Sequence, residues 1–323
     1  MGNIQAALTS EPIIESKTVS VVSCRFRGGQ GKTGVEDGPV HLLEAGLIDQ
    51  VKELGYEVRF DGHQEFKDIE EDFPSEQDPD IGRMRRPRLV SKVCEKVSQV
   101  VEERARAGEI VLTLGGDHSL GMATIGGTIE AHPDLCVLWI DAHADINTPE
   151  TTDLGWLHGM PVSFLLGLSQ MPEYAWTKGR LHPSRIAYIG LRDIEAGEKA
   201  TLKKHGIKAF SMHHVDKFGI TKVVEMALDA VNPGRDRPIH LSFDIDALDP
   251  SIAPSTGTPV RGGLTFREGR YICEAVAETG RLVAMDMVEV NPSLTDPADP
   301  ISAQRTVATA CALIRSALGE NLL

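Results

Sequence analysis

The chain lacks the features that mark membrane and nucleic-acid-binding proteins. No apolar run approaches the roughly 18 residues that a membrane span needs, which excludes an integral membrane protein. Basic side chains number 33 against 47 acidic ones, and the formal net charge of −14 argues against nucleic acid as a partner. The length of 323 residues and the hydrophobic share of 41% suit one large α/β domain or two smaller ones.

Cysteine is also scarce. The five cysteines form no CxxC pair, are odd in number and lie mostly within apolar stretches, which favours buried reduced thiols in an intracellular protein. The N-terminus shows no basic-then-apolar signal peptide, and Ala6 stands where N-myristoylation needs Ser or Thr. We therefore predict a cytoplasmic protein with a loose tail over residues 1–17 and one domain over residues 18–323.

Short aliphatic runs alternate with longer segments of helical period, which is typical of a parallel α/β sheet. The predicted strands cover residues 18–24, 57–61, 109–114, 135–140, 185–189, 206–210, 238–243 and 282–285. The predicted helices cover residues 38–53, 89–107, 119–131, 195–205, 220–231, 266–279 and 301–318. The expected fold class is α/β, a single-domain three-layer α/β/α structure around a parallel sheet of about eight strands.

A glycine-rich segment follows the first predicted strand without fitting a nucleotide-binding loop. Residues 27–33 read Arg-Gly-Gly-Gln-Gly-Lys-Thr, and Phe26 stands where a P-loop needs glycine. We therefore expect a flexible loop that lines a pocket of the α/β sheet.

Residues 65–88 carry an unusual run of charge. An acidic stretch over residues 65–80 leads into four arginines, which are Arg83, Arg85, Arg86 and Arg88. The pattern is typical of a solvated surface loop before a helix, and a switch or partner site is the alternative.

Ligand-type side chains follow three predicted strands at the point where each strand ends. The segments are Gly-Gly-Asp-His-Ser at 115–119, Asp-Ala-His-Ala-Asp at 141–145 and Asp-Ile-Asp at 244–246. In extended chain, side chains at i, i+2 and i+4 share a side, so Asp141, His143 and Asp145 can point together, as can Asp244 and Asp246. Carboxyl ends of parallel strands are where α/β proteins bind ligands. If the three strands are neighbours, four carboxylates and two imidazoles converge.

Four converging carboxylates would destabilise the fold without counter-charge. Two divalent cations would cancel them, and a hydroxide bridging the two ions would be a strong nucleophile at modest pH. Oxygen and imidazole ligands without thiolate suit Mn²⁺, and Co²⁺, Ni²⁺, Fe²⁺ and Zn²⁺ also fit. Any one aspartate alone would be better explained as a helix cap or turn former. Six such residues at three strand ends favour a metal site.

These motifs, in this order and at these separations, resemble the ureohydrolase family, whose members include arginase, agmatinase and formiminoglutamase. The finer match is to the arginase pattern, and the resemblance spans roughly residues 18–318. It rests on Asp-Ile-Asn-Thr-Pro at 145–149, Leu-His-Gly at 157–159, Pro-Val-Ser-Phe-Leu-Leu at 161–166, Gly-Thr-Pro at 257–259 and Glu-Val-Asn-Pro at 289–292.

The resemblance implies two manganese ions per subunit and an arginine hydrolase. One ion would be held by His118, Asp141, Asp145 and Asp244, and the other by Asp141, His143, Asp244 and Asp246. A hydroxide bridging both ions would attack the guanidinium carbon of L-arginine and yield L-ornithine and urea.

The resemblance also implies roles for three residues around the ions. Asp145 would help to move the proton of the nucleophile to the leaving nitrogen, and His158 would act as general acid or proton shuttle. Glu289 would accept hydrogen bonds from the substrate guanidinium. Thr258 would lie near the substrate as well.

The residues expected to bind the amino-acid end of the substrate depart from the arginase pattern. Asn147 and Thr152 match the loop that binds the α-carboxylate, but Leu154 stands where serine is usual and Trp156 where asparagine is usual. Glu195 occupies the position of an aspartate that contacts the α-amino group. The alternative substrate is therefore another guanidine compound, such as agmatine or a guanidino acid.

The resemblance implies a homo-oligomer, either a trimer or a dimer of trimers, because Arg267 and Glu268 match a family pair near subunit contacts. The predicted helix 301–318 has an apolar face at Val307, Cys311 and Ile314, which burial within one chain would explain equally well.

Two further points concern residues outside the matched motifs and a different class of function. The pair His213 and His214 is expected on the surface. A non-catalytic regulator that kept the fold is an alternative to an enzyme, but such proteins normally lose metal ligands, and all of the expected ligands are present.

Overall fold

Eight parallel strands form one sheet at the centre of the computed structural model, which describes residues 17–74, 76–177, 180–296 and 298–320. The strands are β1 (Thr18–Cys24), β2 (Glu57–Gln64), β3 (Ile110–Leu114), β4 (Cys136–Ile140), β5 (Ile186–Leu191), β6 (Lys208–Ser211), β7 (Ile239–Asp244) and β8 (Leu282–Val288). The predicted tail lies outside the described residues, apart from Lys17.

The strand order is β2-β1-β3-β8-β7-β4-β5-β6. Strands β3 and β4 follow one another in sequence but are separated in the sheet by β8 and β7. The strand order therefore reverses near the middle of the sheet. Such a reversal leaves a crevice at the carboxyl ends of the central strands. Of the three strands that carry the ligand-type motifs, β4 and β7 are neighbours, whereas β8 lies between β3 and β7.

Helices cover both faces of the sheet. They are α1 (Gly38–Glu44), α2 (Leu47–Glu53), α3 (Lys67–Asp72), α4 (Pro87–Arg106), α5 (Gly121–Ala131), α6 (Pro161–Leu165), α7 (Ala196–His205), α8 (Met212–Phe218), α9 (Ile220–Val231), α10 (Phe266–Glu278) and α11 (Ser302–Ala317). On β4, Leu138 packs into one hydrophobic cluster with α1, α2 and α8–α11, whereas Trp139 packs into a second with α4–α6. This alternation buries both faces of the sheet, and it confirms the predicted three-layer α/β/α fold.

The structure departs from the predicted elements in a few places. The predicted helix 38–53 is wrong as a single helix, because Gly46 adopts a left-handed conformation (φ 80°) that ends α1 and lets α2 begin. The acidic stretch 65–80, predicted as a loop, contains α3. Helices α3, α6 and α8 have no counterpart among the predicted helices, because five to seven residues are too few to show a helical period.

Several predictions about side-chain placement are confirmed. All five cysteines are free and buried. The apolar face of α11 is covered within the chain, since Val307, Cys311 and Ile314 are at most 6% exposed. The predicted surface position holds for His213, which is exposed on α8, but only in part for His214, which is half-buried and hydrogen-bonds to Ser211 at the start of that helix. Across the described ranges, each helix is too short or too polar to cross a bilayer.

Candidate active site

The four central strands deliver the candidate site to one crevice. His118 follows β3, Glu289 follows β8, Asp244 ends β7 and Asp141 follows β4. All four side chains are almost completely buried, with at most 3% of each residue exposed. The site therefore occupies the crevice at which open α/β sheets bind their ligands.

The six predicted metal ligands lie close together, and five of them form two groups. In the first group, Nδ1 of His118 lies 3.1 Å from Asp141 and 3.3 Å from Asp244. In the second, Nδ1 of His143 lies 3.1 Å from Asp246 and 3.4 Å from Asp141. Asp141 belongs to both groups, and Asp145 lies beside the first, 3.3 Å from His118.

Tight local turns orient the side chains of the predicted ligands. Asp141 accepts a hydrogen bond from the backbone N–H of His143 (2.7 Å), and Asp244 accepts one from that of Asp246 (2.7 Å). Each bond folds the chain so that residues i and i+2 face one crevice. Asp145 and Glu289 adopt positive φ angles of 48° and 61°, a conformation that costs about 1–3 kcal/mol for a non-glycine residue and is concentrated at functional sites.

The electrostatics of the cluster fit divalent cations. Burial and the charges of Asp246 and Asp141 raise the pKa of Asp244 well above its ordinary value. Burial and the charge of Asp141 raise the pKa of Asp145 to about 6. These raised pKa values reflect burial and mutual repulsion among the carboxylates, both of which a bound cation would offset. A donor set of buried carboxylate oxygens and imidazole nitrogens, with no thiolate, suits Mn²⁺ and related ions.

Buried side chains contact the ring of His118 and orient it. Its ring stacks on Trp139 with a centroid separation of 4.0 Å, and the indole N–H of Trp139 donates to Asp141. The Nε2 atom of His118 lies 2.9 Å from the hydroxyl of Ser242, which donates to Asp286 (3.0 Å). Such contacts orient ligand side chains.

Glu289 and His158 form a second pair beside the metal ligands. Nδ1 of His158 lies 3.3 Å from Oε1 of Glu289, which also accepts from the backbone N–H of His118 (2.9 Å). Burial opposes protonation of His158, but the hydrogen bond and charge of Glu289 outweigh it and raise the pKa of His158 to about 9. Burial also opposes the charged form of Glu289, yet the contact with His158 lowers the pKa of this carboxyl.

The glycine-rich loop lines this crevice, as predicted. Gly29 donates its N–H to the buried carboxylate of Asp117 (2.8 Å) and accepts from the N–H of His158 (3.0 Å). Gln30 donates its side-chain amide to Glu289 (2.6 Å), and Lys32 donates to the carbonyl of Gly257. Sequence reasoning missed Gln30 and Asp117 as site residues, because neither has a spacing pattern to signal its role.

The loop between Asp145 and His158 carries the predicted carboxylate-binding residues. Asn147 is buried and accepts from Thr151 (2.9 Å), and its amide also contacts the carboxylate of Glu195. The hydroxyl of Thr152 accepts from the N–H of Gly155 (2.9 Å), so it serves the shape of the loop itself. Leu154 is 67% exposed at the outer edge of this loop.

Thr258 and Glu198 also hydrogen-bond to segments of the site. Thr258 donates its hydroxyl to Asp246 (2.9 Å), which places it against the second group of ligands. Glu198 on α7 is buried and accepts from the backbone N–H groups of Ile146 (3.2 Å) and Glu195 (3.0 Å). Burial raises the pKa of Glu198 to about 7. This residue was not predicted, since a single glutamate on a helix gives no signal of its own.

The fold and the cluster together define an α/β protein with a candidate metal centre at the carboxyl edge of its sheet. A model of the arginase family matches residues 17–319. The arginase of Glaciozyma antarctica (strain PI12) is 57% identical over 321 residues, which are 98% of this chain and 91% of that protein.

Solved arginase structures are similar to this chain over nearly its full length. The arginase of Bacillus cereus has a TM-score of 0.85 at 34% identity, with 95% of this chain and 100% of that chain covered. The arginase of Entamoeba histolytica, solved in complex with L-ornithine, has a TM-score of 0.81 at 28% identity, with 95% and 99% covered. The chain belongs to the arginase family, and it is a hydrolase.

Proposed function

We propose that this protein hydrolyses the guanidinium group of L-arginine to L-ornithine and urea with two bound Mn²⁺ ions. The observation that carries the proposal is the pair of ligand groups joined through Asp141, with Glu289 and His158 beside them. The likeness to an arginase solved with L-ornithine supports the product.

The ligand sets follow the sequence prediction. His118, Asp141, Asp145 and Asp244 would hold one ion, and Asp141, His143, Asp244 and Asp246 the other. The two ions would neutralise the buried carboxylates and supply an activated water as the nucleophile. The shared roles of Asp141 and Asp244 are part of this proposal, and membership of Asp141 in both groups supports the first of them.

Glu289 would bind the substrate guanidinium. A planar cation favours a carboxylate that can accept two parallel N–H bonds. Gln30 and the backbone N–H of His118 each bond one oxygen of Glu289, so they fix the plane of the carboxylate before substrate arrives. This prearrangement reduces the entropy lost on binding.

His158 and Asp145 would handle protons. A protonated imidazole at this position can give a proton to the leaving amine, and its side chain is 21% exposed, so it can recover one from solvent. The strained backbone of Asp145 holds its carboxylate beside His118, where it can accept the proton of the nucleophile.

The amino-acid end of the substrate would bind the loop that carries Asn147, Thr152 and Leu154, together with Glu195. Thr258 would border the substrate next to Asp246. The contact between Asn147 and Glu195 supports a shared site for the α-carboxylate and the α-amino group. The exposed Leu154 offers no hydrogen bond, and this keeps agmatine or a guanidino acid as the second candidate substrate.

The location, the partners and the oligomeric state of the protein are further parts of the proposal. The five unpaired buried cysteines suit the reducing cytoplasm, and the acidic chain suits a small-molecule substrate rather than nucleic acid. We propose one domain over residues 18–323 and a homo-oligomer, either a trimer or a dimer of trimers. Arg267 pairs with Glu274 of the same chain, and the position of this pair on exposed α10 leaves it accessible to a neighbouring subunit.

The test is urea release by Mn²⁺-loaded protein, with L-arginine and agmatine in parallel and a metal-free control. We expect efficient hydrolysis of arginine, two Mn²⁺ per chain, and loss of urea release without metal. A strong preference for agmatine would overturn the substrate but keep the chemistry. Absence of metal-dependent urea release from any guanidine compound would overturn the function.

A further inference from the structure

The guanidinium of Arg192, just after β5, donates hydrogen bonds to five backbone carbonyls. These carbonyls belong to Gly190 (3.2 Å), Asp246 (2.7 Å), Ala247 (3.1 Å), Leu248 (3.2 Å) and Val260 (2.7 Å). Three of them are consecutive and lie in the turn that follows β7. Arg192 thereby joins the end of β5, the turn that carries Asp246 and the loop that carries Thr258.

The backbone around Arg192 reaches the other half of the second ligand group. Its N–H and that of Asp193 both donate to the carbonyl of Ala142, at 2.9 and 3.1 Å. Ala142 lies between Asp141 and His143, and its own N–H donates to Asp246 (3.3 Å). Arg192 therefore connects both chain segments that supply Asp141, His143 and Asp246.

Only an arginine can hold this arrangement. Five carbonyl oxygens converge on one point, and their negative dipole ends need a cation with donors spread over a plane. Lysine has three donors on a single atom, and methionine has none. The fit is close, because a Cβ on Gly263 would lie 2.6 Å from the guanidinium.

The hydrogen bonds of the guanidinium fall on β5 and on the segments around Asp246 and Val260, whereas His118 follows β3 and is held by Trp139 and Ser242. We propose that Arg192 is a positioning residue for Asp246, a ligand that the second ion alone would use. It holds the turn of Asp246 against the segment of His143, so that its loss weakens one metal position and spares the other. This inference rests on the proposed function, which supplies the two ions.

The experiment counts metal. Wild type, Arg192→Lys and Arg192→Met are loaded with Mn²⁺, dialysed and analysed for Mn²⁺ per chain, and the two dissociation constants are measured by calorimetry. The matched control is Arg104→Lys, an arginine on α4 that is 11% exposed and pairs with Asp61 away from the site. His143→Ala provides the reference for loss of the second ion.

We expect two ions per chain in wild type and in Arg104→Lys, and about one in Arg192→Met. In Arg192→Lys the dissociation constant of the ion that His143→Ala loses should rise about 10- to 100-fold, as measured for other supporting contacts, while the other constant stays within threefold. Circular dichroism shows whether Arg192→Met folds, and if it does not, Arg192→Lys alone decides. Two ions bound with wild-type affinity, or equal weakening of both, would overturn the inference. Fewer than two ions in wild type would instead overturn the proposed two-ion function.

Discussion

The Nε2 atom of His118 lies 2.9 Å from the hydroxyl oxygen of Ser242, and this contact places a proton on Nε2. Ser242 donates its only hydroxyl proton to the carboxylate of Asp286 (3.0 Å), which can only accept. The oxygen of Ser242 is therefore an acceptor toward His118, whose Nε2 must carry the proton. Its Nδ1 atom faces Asp141, Asp145 and Asp244.

Replacing Ser242 should weaken the first metal position. In Ser242→Ala the N–H of His118 loses its acceptor in a buried site, and the ring loses the bond that orients it. We expect the affinity of the Mn²⁺ at the first position to fall about 10- to 100-fold in a calorimetric titration. Ser316→Ala is the control, because Ser316 is equally buried on α11 and donates only to the carbonyl of Ala312. Unchanged affinity in Ser242→Ala would refute the orienting role.

The pairing of His158 with Glu289 should make stability depend on pH in the metal-free protein. The folded pKa of about 9 exceeds the ordinary value of about 6.5, so the pair contributes fully below pH 6.5. The contribution is lost as pH rises through 9. We expect the melting temperature of wild type to exceed that of His158→Gln at pH 6, with the difference shrinking by pH 10. A difference that is the same at both values would contradict this assignment.

A serine at position 154 should improve the use of arginine. Leu154 is 67% exposed, so Leu154→Ser leaves packing unchanged and adds a hydroxyl to the loop expected to bind the α-carboxylate. One hydrogen bond contributes about 0.5–1.5 kcal/mol, so kcat/KM for arginine should rise about 2- to 10-fold. Agmatine has no carboxylate, and its kcat/KM should not change. Ile301 is 63% exposed and lies away from this loop, so Ile301→Ser measures the effect of an added surface hydroxyl elsewhere. An equal gain with both substrates would argue against a carboxylate contact.

Adding a methyl group at Gly116 should push apart the loop that carries Phe26 and the loop that carries Gly116, next to Glu289. A Cβ there would lie 1.6 Å from the carbonyl oxygen of Phe26, which is backbone and cannot turn aside. We expect Gly116→Ala to lower the free energy of unfolding by about 1–3 kcal/mol, measured by urea denaturation. Gly126→Ala on α5 is the control, because its Cβ would meet only side chains at 3.6 Å or more. Equal stability of the two variants would show that the loops can move apart freely.

The strand-end motifs could be predicted because their information is local. Asp141 and His143, or Asp244 and Asp246, are brought together by a turn of three residues, and their i, i+2 spacing at a strand end is visible in the sequence. Contacts of distant single residues could not be predicted in the same way. Gln30 and Glu289 are 259 positions apart, and Arg192 binds carbonyls that have no side-chain signature.

The sequence by itself determined the α/β class, the ligand types and the family, because periodicity and short motifs are properties of neighbouring residues. The tertiary structure decided which motifs share a crevice. The insertion of β8 between β3 and β7 brings Glu289 to the crevice that holds His118 and Asp244, and it pairs the glutamate with His158. That arrangement depends on strand order, which long-range packing selects and which no local pattern encodes.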